Sequence, residues 1–447
     1  MPIGIGLLGL GTVGAGVADI LLSPQGRHPL VTDLQLRQVA VRDLNRPRPI
    51  PLSEDLLTSD AAAVVANPDV DLVVEVMGGL EPARSLILAA IEAGKPVVTA
   101  NKAVIARHGA EIAAAAAERG VYVLMEAAVG GGIPILEPLK QSLGGNRIER
   151  VSGIINGTTN YILTRMAEEG ASYGDVLADA QALGYAEADP AADVEGGDAA
   201  DKIAILTGLA FGGLVSREAI PTEGINTLQT LDIDYAKELG FVVKLLAIAE
   251  RHGSDSDGTE MLDVRVHPTL VPKDHPLAGV NGVNNAILVE GEPVGRVMFY
   301  GPGAGAGPTA SAVVADILNI AAIRQVGAGG TQNSLDPLLA ASSWRNCRLI
   351  DQGKTCHRNY VRFQAADRPG VIGHIGSCFG SAGVSLQSIV QFETEDGGAE
   401  IVVVTHAVEE RLFQEALSAI LERPDVEDVR CCPVSYTHLR AHETRIH

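Results

Sequence analysis

Ile3-Gly4-Ile5-Gly6-Leu7-Leu8-Gly9-Leu10-Gly11-Thr12-Val13-Gly14 opens the chain and decides the fold of its N-terminal part. Ile3–Leu8 reads as a buried strand, and a helical run follows through about Leu22. Between them lies a G-x-G-x-x-G turn. Gly9 permits the tight turn, Gly11 lets a pyrophosphate approach the main chain, and Gly14 lets helix and strand pack closely. The helix start offers free N–H groups and a positive dipole end to phosphates. With a strand before it and a helix after it, this motif predicts a doubly wound α/β sheet that holds a dinucleotide.

Further along, Leu34–Val41, Val70–Val76, Val97–Ala100 and Val121–Glu126 read as strands with helices between them. Their β-branched runs suit parallel strands covered on both faces. The second strand ends in Arg42-Asp43. An acidic residue there would bond ribose hydroxyls and favour NAD, whereas a basic one suits the 2′-phosphate of NADP. Arg46 and Arg48 follow closely, so NADP, or use of both cofactors, is expected, with Arg42 as a contact. Loops at the C-terminal strand ends should line the crevice. They carry Met77-Gly78-Gly79, Thr99-Ala100-Asn101-Lys102 and the stretch from Glu126 to Pro134.

A length of 447 residues implies two or three domains. A formal charge of −21 argues against nucleic acid and anionic membrane surfaces as partners. Five cysteines without a CxxC pair fit a reducing cytosol and give no zinc signature. The chain enters a strand at once, so no signal peptide is expected. No apolar run reads as an uninterrupted bilayer span.

The chemistry is concentrated in Ala180–Lys202, AQALGYAEADPAADVEGGDAADK. Turn residues Gly184, Pro190, Gly196 and Gly197 space out Glu187, Asp189, Asp193, Asp198 and Lys202. The turns should gather the early carboxylates. The helical run after them sets Asp198 and Lys202 at i and i+4 on one face. A lysine held beside carboxylates on a rigid element suits proton transfer. The plainer alternative makes Asp198 a helix cap and Lys202 a solvated neighbour of Ile203, Leu206 and Ala210.

Around this stretch, Ile148–Ile155, Leu262–Val266, Ala286–Glu290 and Arg296–Tyr300 read as strands of a mixed sheet. Asn156–Tyr161 reads as ligand-bonding side chains or a capped turn before a helix to Glu169. A glycine run, Gly301–Thr309, opens a helix Ala310–Ile323. Gln325–Lys354 reads as a linker. From Asn359 a βαββα order begins, with Asp367-Arg368-Pro369-Gly370-Val371 after its first strand.

Ala180, Gly184, Tyr185, Ala186, Asp189, Pro190, Asp193, Val194, Gly196, Asp198 and Lys202 resemble the signature of homoserine dehydrogenase, and the resemblance extends to about Cys432. The C-terminal module resembles an ACT domain. The resemblance implies a Rossmann domain over 1–132 completed by 303–325, and an α+β catalytic domain with a mixed sheet over 133–302. A linker over 326–357 and a ferredoxin-like ACT domain over 358–432 would follow; the tail over 433–447 departs from the family pattern and reads as disordered or artefactual.

The implied activity is NAD(P)-dependent interconversion of L-homoserine and L-aspartate 4-semialdehyde, on the route to threonine, methionine and isoleucine. No histidine lies in the motifs, so Lys202 is expected to move the proton, with Lys102 as second cation and Asp198 at the substrate hydroxyl. Glu187 would bind the substrate amino group, with Asp193 and Gly184 beside it. Gly9, Leu10, Gly11, Thr12, Val13, Gly14, Arg42, Gly78, Thr99, Lys102 and Gly303 would contact the cofactor.

The resemblance also implies a monovalent cation, sodium, on Glu126 and the carbonyls of Val129, Gly131 and Ile133, whose oxygen ligands suit a hard ion. L-Threonine would act through Asp367–Gly370 and Gly383-Val384-Ser385. A cytoplasmic homodimer or homotetramer is expected. The competing reading from another class is an amino-acid-sensing regulator with an inactive Rossmann core; it predicts loss of Lys102, Lys202 or the phosphate-binding glycines, and all are present.

Overall fold

The computed structural model describes residues 2–327, 347–394, 398–422, 426–431 and 434–435. Most of the expected linker, and the tail beyond Ser435, lie outside the described residues.

The N-terminal part alternates strands and helices. It runs β1 (Ile3–Leu8), α1 (Thr12–Leu22), β2 (Leu34–Ala40), β3 (Leu57–Thr58), α2 (Ala61–Ala66) and β4 (Leu72–Glu75). Then come α3 (Ala83–Glu92), β5 (Val97–Thr99), α4 (Lys102–Arg119) and β6 (Val123–Leu124). The six strands pair in parallel in the order β3-β2-β1-β4-β5-β6. The order reverses between β1 and β4, so a crevice opens at their C-terminal ends. Every residue of β1 is buried, as helices on both faces require. The strand expected over Val121–Glu126 is shorter. Glu126 leaves it for a 3₁₀ turn, Glu126–Ala128.

The central part begins with α5 (Leu136–Lys140), β7 (Arg147–Ile154), α6 (Gly157–Glu169), α7 (Tyr173–Ala182), α8 (Ala191–Val194), α9 (Gly197–Phe211) and α10 (Thr230–Glu238). It continues with β8 (Phe241–Ser254), β9 (Glu260–Pro272), β10 (Asn284–Glu292) and β11 (Gly295–Pro302). The strands pair antiparallel in the order β11-β10-β7-β8-β9.

The sequence pattern does not predict β8. Its run Val242–Ala249 is apolar nearly throughout, and such a run reads equally as buried strand or buried helix. β9 is longer than expected. Its Asp263, Arg265, His267 and Thr269 alternate with apolar Val264, Val266 and Leu270, and all of these are buried. Helix α6 starts four residues earlier than expected, at Gly157, because the Asn156 side chain caps it by accepting from Thr159 N–H.

Helix α11 (Ala306–Gly327) returns to the first sheet. Its Ala310, Val313, Ile317, Ile320 and Ala321 share one core with Ile5, Leu7, Val17 and Leu21. Contrary to the sequence expectation, Ala306–Arg324 is long and apolar enough to cross a membrane. Its apolar stripe is spent on that core instead.

β12 (Cys347–Leu349) pairs in parallel with β9, inside the stretch expected to be linker. The C-terminal module follows as β13 (Cys356–Ala366), α12 (Val371–Ser381), β14 (Leu386–Glu393), β15 (Gly398–Thr405), β16 (Val408–Glu409), α13 (Glu410–Leu421), β17 (Val426–Cys431) and β18 (Val434–Ser435). It has its own core around Phe363, Ile375, Phe379, Ile401 and Phe413. Val434 and Ser435, expected to belong to a disordered or artefactual tail, pair with both β13 and β9 and join the central and C-terminal strands into one sheet.

A buried ionic network reinforces the seam. Arg362 donates to Asp232 at 2.6 Å, to Glu400 at 2.6 Å and to Gln229 at 3.0 Å. Tyr235 donates to the other Glu400 oxygen at 2.7 Å and stacks on Phe392.

Candidate active site

The crevice between β1 and β4 is a cavity of about 500 Å³. Gly9, Leu10, Gly11 and Thr12 form its floor, and Arg42, Asp43, Arg46 and Arg48 line the side beyond β2. Gly9 has φ +104°, and a Cβ on Gly14 would stand 2.1 Å from the Gly9 carbonyl oxygen, so both positions require glycine. Gly11 caps α1 without a side chain, with open space beside it. A bare helix start facing a cavity with three arginines fits the phosphates of a dinucleotide. Val13 and Gly14 sit behind this floor in α1. Gly78, with φ +74°, follows β4 outside the cavity lining.

At the next strand ends, buried Glu75 acts as an organiser that the sequence pattern does not reveal. It accepts from the Thr99 hydroxyl at 2.7 Å and from Met77 N–H at 2.8 Å. The Thr99 oxygen accepts in turn from Asn101 N–H. Thr99 is wholly buried, so its hydroxyl belongs to this strand-end network. Asn101 caps α4 and thereby sets Lys102 at the first helical position.

Helix α9 brings the other half of the site. Gly196 caps it with φ +84°, where a side chain would also press on Thr222. Asp198 falls in its first turn, where the helix dipole favours a carboxylate. Arg107 of α4 and Arg217 both bind Asp201 of α9, at 3.1 and 2.7 Å, and dock the two helices. The result is a carboxylate shared by two ammonium groups. One Asp198 oxygen pairs with Lys102 and the other with Lys202 at 2.7 Å. Lys202 also donates to the Ile155 carbonyl at 2.6 Å.

Asn156 completes the frame. Its amide donates to Asp193 at 2.7 Å and to Asp198 at 2.9 Å. Thr158 donates to the Tyr185 carbonyl at 2.7 Å and reaches Asp193 at 3.3 Å. An asparagine before a helix is legible as a cap. Its second use, as a bridge between two carboxylates, is a tertiary fact. Glu187 and Gly184 lie on the exposed part of the loop.

The electrostatics follow from this sharing. Burial opposes the charge on Asp198, but Lys202 and Lys102 together hold its carboxyl well below the usual range. Lys202 is pushed down by burial, with Lys102 adding to that against the pull of Asp198. Lys102 is partly buried, which works against its charge, yet Asp198 raises it overall. Burial raises Asp193. The two lysines are thus driven apart, one toward giving up its proton and one toward keeping it.

The segment from Glu126 to Ile133 sits beside this site. The Glu126 carboxylate accepts from the N–H groups of Ile135, Leu136 and Glu137 at 2.6 to 2.8 Å and caps α5. Its own N–H donates to buried Asp316 of α11 at 2.8 Å. Burial pushes Asp316 up to about 8, and one of its oxygens has no partner among the described residues. Among the described residues, none of the main-chain hydrogen bonds between elements ends on the carbonyls of Val129, Gly131 or Ile133. The Gly131 and Gly303 main chains meet so closely that a Cβ on Gly131 would lie 2.3 Å from the Gly303 oxygen.

Three family models match the chain. They are the homoserine dehydrogenase NAD-binding domain over residues 9–126, homoserine dehydrogenase over 134–318, and the ACT domain over 359–425. A homoserine dehydrogenase of Synechocystis is 58% identical over 429 residues, covering 96% of this chain and 98% of the relative. The crystal structure of a homoserine dehydrogenase from Thiobacillus denitrificans superposes with a TM-score of 0.89 at 40% identity, covering 98% of each chain. A hyperthermophilic archaeal homoserine dehydrogenase in complex with NADPH superposes with a TM-score of 0.60 at 27% identity, over 72% of this chain and 98% of that one. The chain therefore belongs to the homoserine dehydrogenase family of NAD(P)-dependent oxidoreductases.

Proposed function

We propose that the Lys102–Asp198–Lys202 cluster is the proton-transfer centre that interconverts L-homoserine and L-aspartate 4-semialdehyde. One observation carries this: a single buried carboxylate is shared between two lysines, one buried and one 41% exposed. When bound, the nicotinamide cofactor supplies the hydride acceptor or donor. Lys202 gives its proton to the aldehyde oxygen in reduction and takes it back from the hydroxyl in oxidation. Two of its three donor positions are held by Asp198 and Ile155, which aims the third. Lys102 stays protonated and polarises the same oxygen.

Asp198 keeps both lysines in place, and Asn156 bridges Asp198 and Asp193. Asp193, Gly184 and the exposed Glu187 receive the substrate's polar ends, with Glu187 on its ammonium group. The floor Gly9–Thr12, backed by Val13 and Gly14, holds the cofactor together with Gly78 and Gly303, while buried Thr99 acts through the strand-end network. The arginines beyond β2, Arg42 first, favour NADP over NAD, since they outnumber Asp43.

A monovalent cation, sodium, fits the buried carbonyls of Val129, Gly131 and Ile133 with Glu126. No main-chain donor from another element among the described residues takes up the three carbonyls, and hard oxygen ligands suit such an ion. The Glu126 carboxylate already caps α5, and its main-chain oxygen accepts from Val129 N–H at 3.4 Å with one lone pair left for the ion. By the same reading the chain is a cytoplasmic homodimer or homotetramer serving threonine, methionine and isoleucine synthesis. L-Threonine restrains it through Asp367–Gly370 and Gly383–Ser385.

The test is nicotinamide absorbance with L-homoserine and NAD+ or NADP+, with and without L-threonine, for the wild type and Lys202→Ala. Turnover that vanishes in the variant while cofactor binding persists supports the assignment. Full turnover in the variant sinks it.

A further inference from the structure

Asn285, the second residue of β10, has no role in the proton-transfer cluster, yet its side chain is deeply buried. It is 1% exposed, and neither its Oδ1 nor its Nδ2 has a partner among the described residues. Burying an amide with both groups unmade is costly. A ligand that relieves this cost must bring one donor and one acceptor side by side.

The sheet register places this amide beside the cluster. β10 runs antiparallel to β7 with Ala286 opposite Ile154, so Asn285 lies level with Ile155. The Ile155 carbonyl is the one that accepts from Lys202. Side chains two apart on a strand share a face. Ala286 and Ile154 face away, in a core with Leu246 and Leu288. Ile287 packs in the other core, with Ile155 and with Ile203 of α9. Asn285 therefore stands on the α9 side of the sheet. Its Oδ1 is 3.7 Å from the place of a Cβ on Gly157, the residue after Asn156.

A turn with three glycines in five residues, Gly303–Gly307, covers the amide. A Cβ on Gly303 would stand 2.0 Å from Asn285 Nδ2. The same turn reaches α1, where a Cβ on Gly16 would stand 2.6 Å from the Ala306 oxygen. The path from the phosphate-binding helix to Lys202 thus passes Asn285. With no side chain at 303, 305 or 307, the turn can part from the amide by a main-chain shift alone.

The chemistry of the two unmade groups selects among ligands. A carboxylate brings only acceptors and an ammonium group only donors, so either end of an amino-acid substrate would satisfy half of Asn285. A primary carboxamide brings both in one plane, and a nicotinamide ring carries one.

We propose that Asn285 receives the carboxamide of the bound nicotinamide, its Oδ1 accepting from the cofactor's amide N–H and its Nδ2 donating to the amide oxygen, and so fixes the rotation of the ring beside Lys202. This rests on the reading of the Gly303 turn as part of the cofactor site.

The experiment is calorimetric titration of the full chain with NADPH and with its reduced 3-acetylpyridine analogue, in which a methyl group replaces the amide nitrogen. The proteins are the wild type, Asn285→Leu and Asn285→Ala. A difference between the two cofactors that is independent of Asn285 appears in every protein and cancels on comparison. The ratio of the analogue's Kd to that of NADPH falls by about three- to tenfold from the wild type to either variant, the worth of one hydrogen bond. Asn285→Leu keeps or raises the melting temperature of the free chain, because it removes two unmade polar groups, and Asn285→Ala serves if leucine does not fit. A ratio equal within about twofold in all three proteins overturns the proposal. A raised KM for L-homoserine would then give the amide to the substrate, and an unmoved KM would leave it structural. A wild type that binds neither cofactor overturns it together with the cofactor site on which it rests.

Discussion

The cluster at Asp198 and the cluster at Arg362 are both buried and ionic, but their charge balance is opposite. At Asp198 one carboxylate serves two ammonium groups, and the Lys102 side chain remains 41% exposed. At Arg362 one guanidinium serves two carboxylates and an amide, and its side chain is 1% exposed. The first has a surplus of cation and an open side, so its protons can move. The second is saturated with partners and closed, so it can only hold α10 against the ACT sheet. A surplus of one charge beside an opening marks chemistry, and saturation marks support.

The largest effect should come from Lys202→Ala. Homoserine oxidation falls by about a hundred- to ten-thousand-fold, the range of a lost general acid–base. The melting temperature holds or rises, because the charge of Lys202 is buried at a cost. A large fall in stability would make Lys202 a structural partner like Arg362 and erase the contrast.

Arg362→Leu should do the reverse. It strands Asp232 and Glu400 in the seam and costs about 3–5 kcal/mol in denaturant unfolding. The kcat of the folded variant stays within about twofold of wild type.

Lys102→Ala probes the contrast from within the active site. Lys202 has a lowered folded-state pKa, so its neutral form is present below the pH at which an ordinary lysine loses its proton. Oxidation therefore rises with pH through that lowered value, and reduction falls through it. Removing Lys102 takes away the repulsion and moves both limbs to higher pH, with oxidation at neutral pH down by roughly tenfold or more. An unmoved profile would show that the two lysines do not sense each other.

The smallest effect is at the cofactor end. Arg42→Ala should raise KM for NADP+ by about five- to tenfold and leave NAD+ within about twofold, read from initial rates with each cofactor.

Much of this architecture is legible in the amino-acid sequence alone. Gly9–Gly14 specify a strand, a phosphate-binding turn and a helix because local sterics and burial on both faces leave few alternatives. Asp198 and Lys202 are legible as a pair because helical spacing is a local rule. β8 is not, since a uniformly apolar run carries no period. The polar face of β9 hides how far the strand runs beyond Val266, because its charges find partners only once the strand is packed, through contacts such as Arg265 with Asp263. Glu75, Asn156 and Asp316 are not legible as organisers. Each is an ordinary polar residue until residues 24 to 190 positions away supply its partners.

Local pattern is enough to set the order of most elements, the dinucleotide turn, the ACT module and the residue types available for proton transfer. All of these depend on spacings of a few residues. Long-range packing alone brings Lys102, from one end of α4, to Asp198 at the start of α9. It likewise makes Val434–Ser435 join two sheets and Glu126 cap α5. Those outcomes depend on which distant groups share a low-dielectric interior, where each buried charge or amide must find a partner that no local pattern specifies.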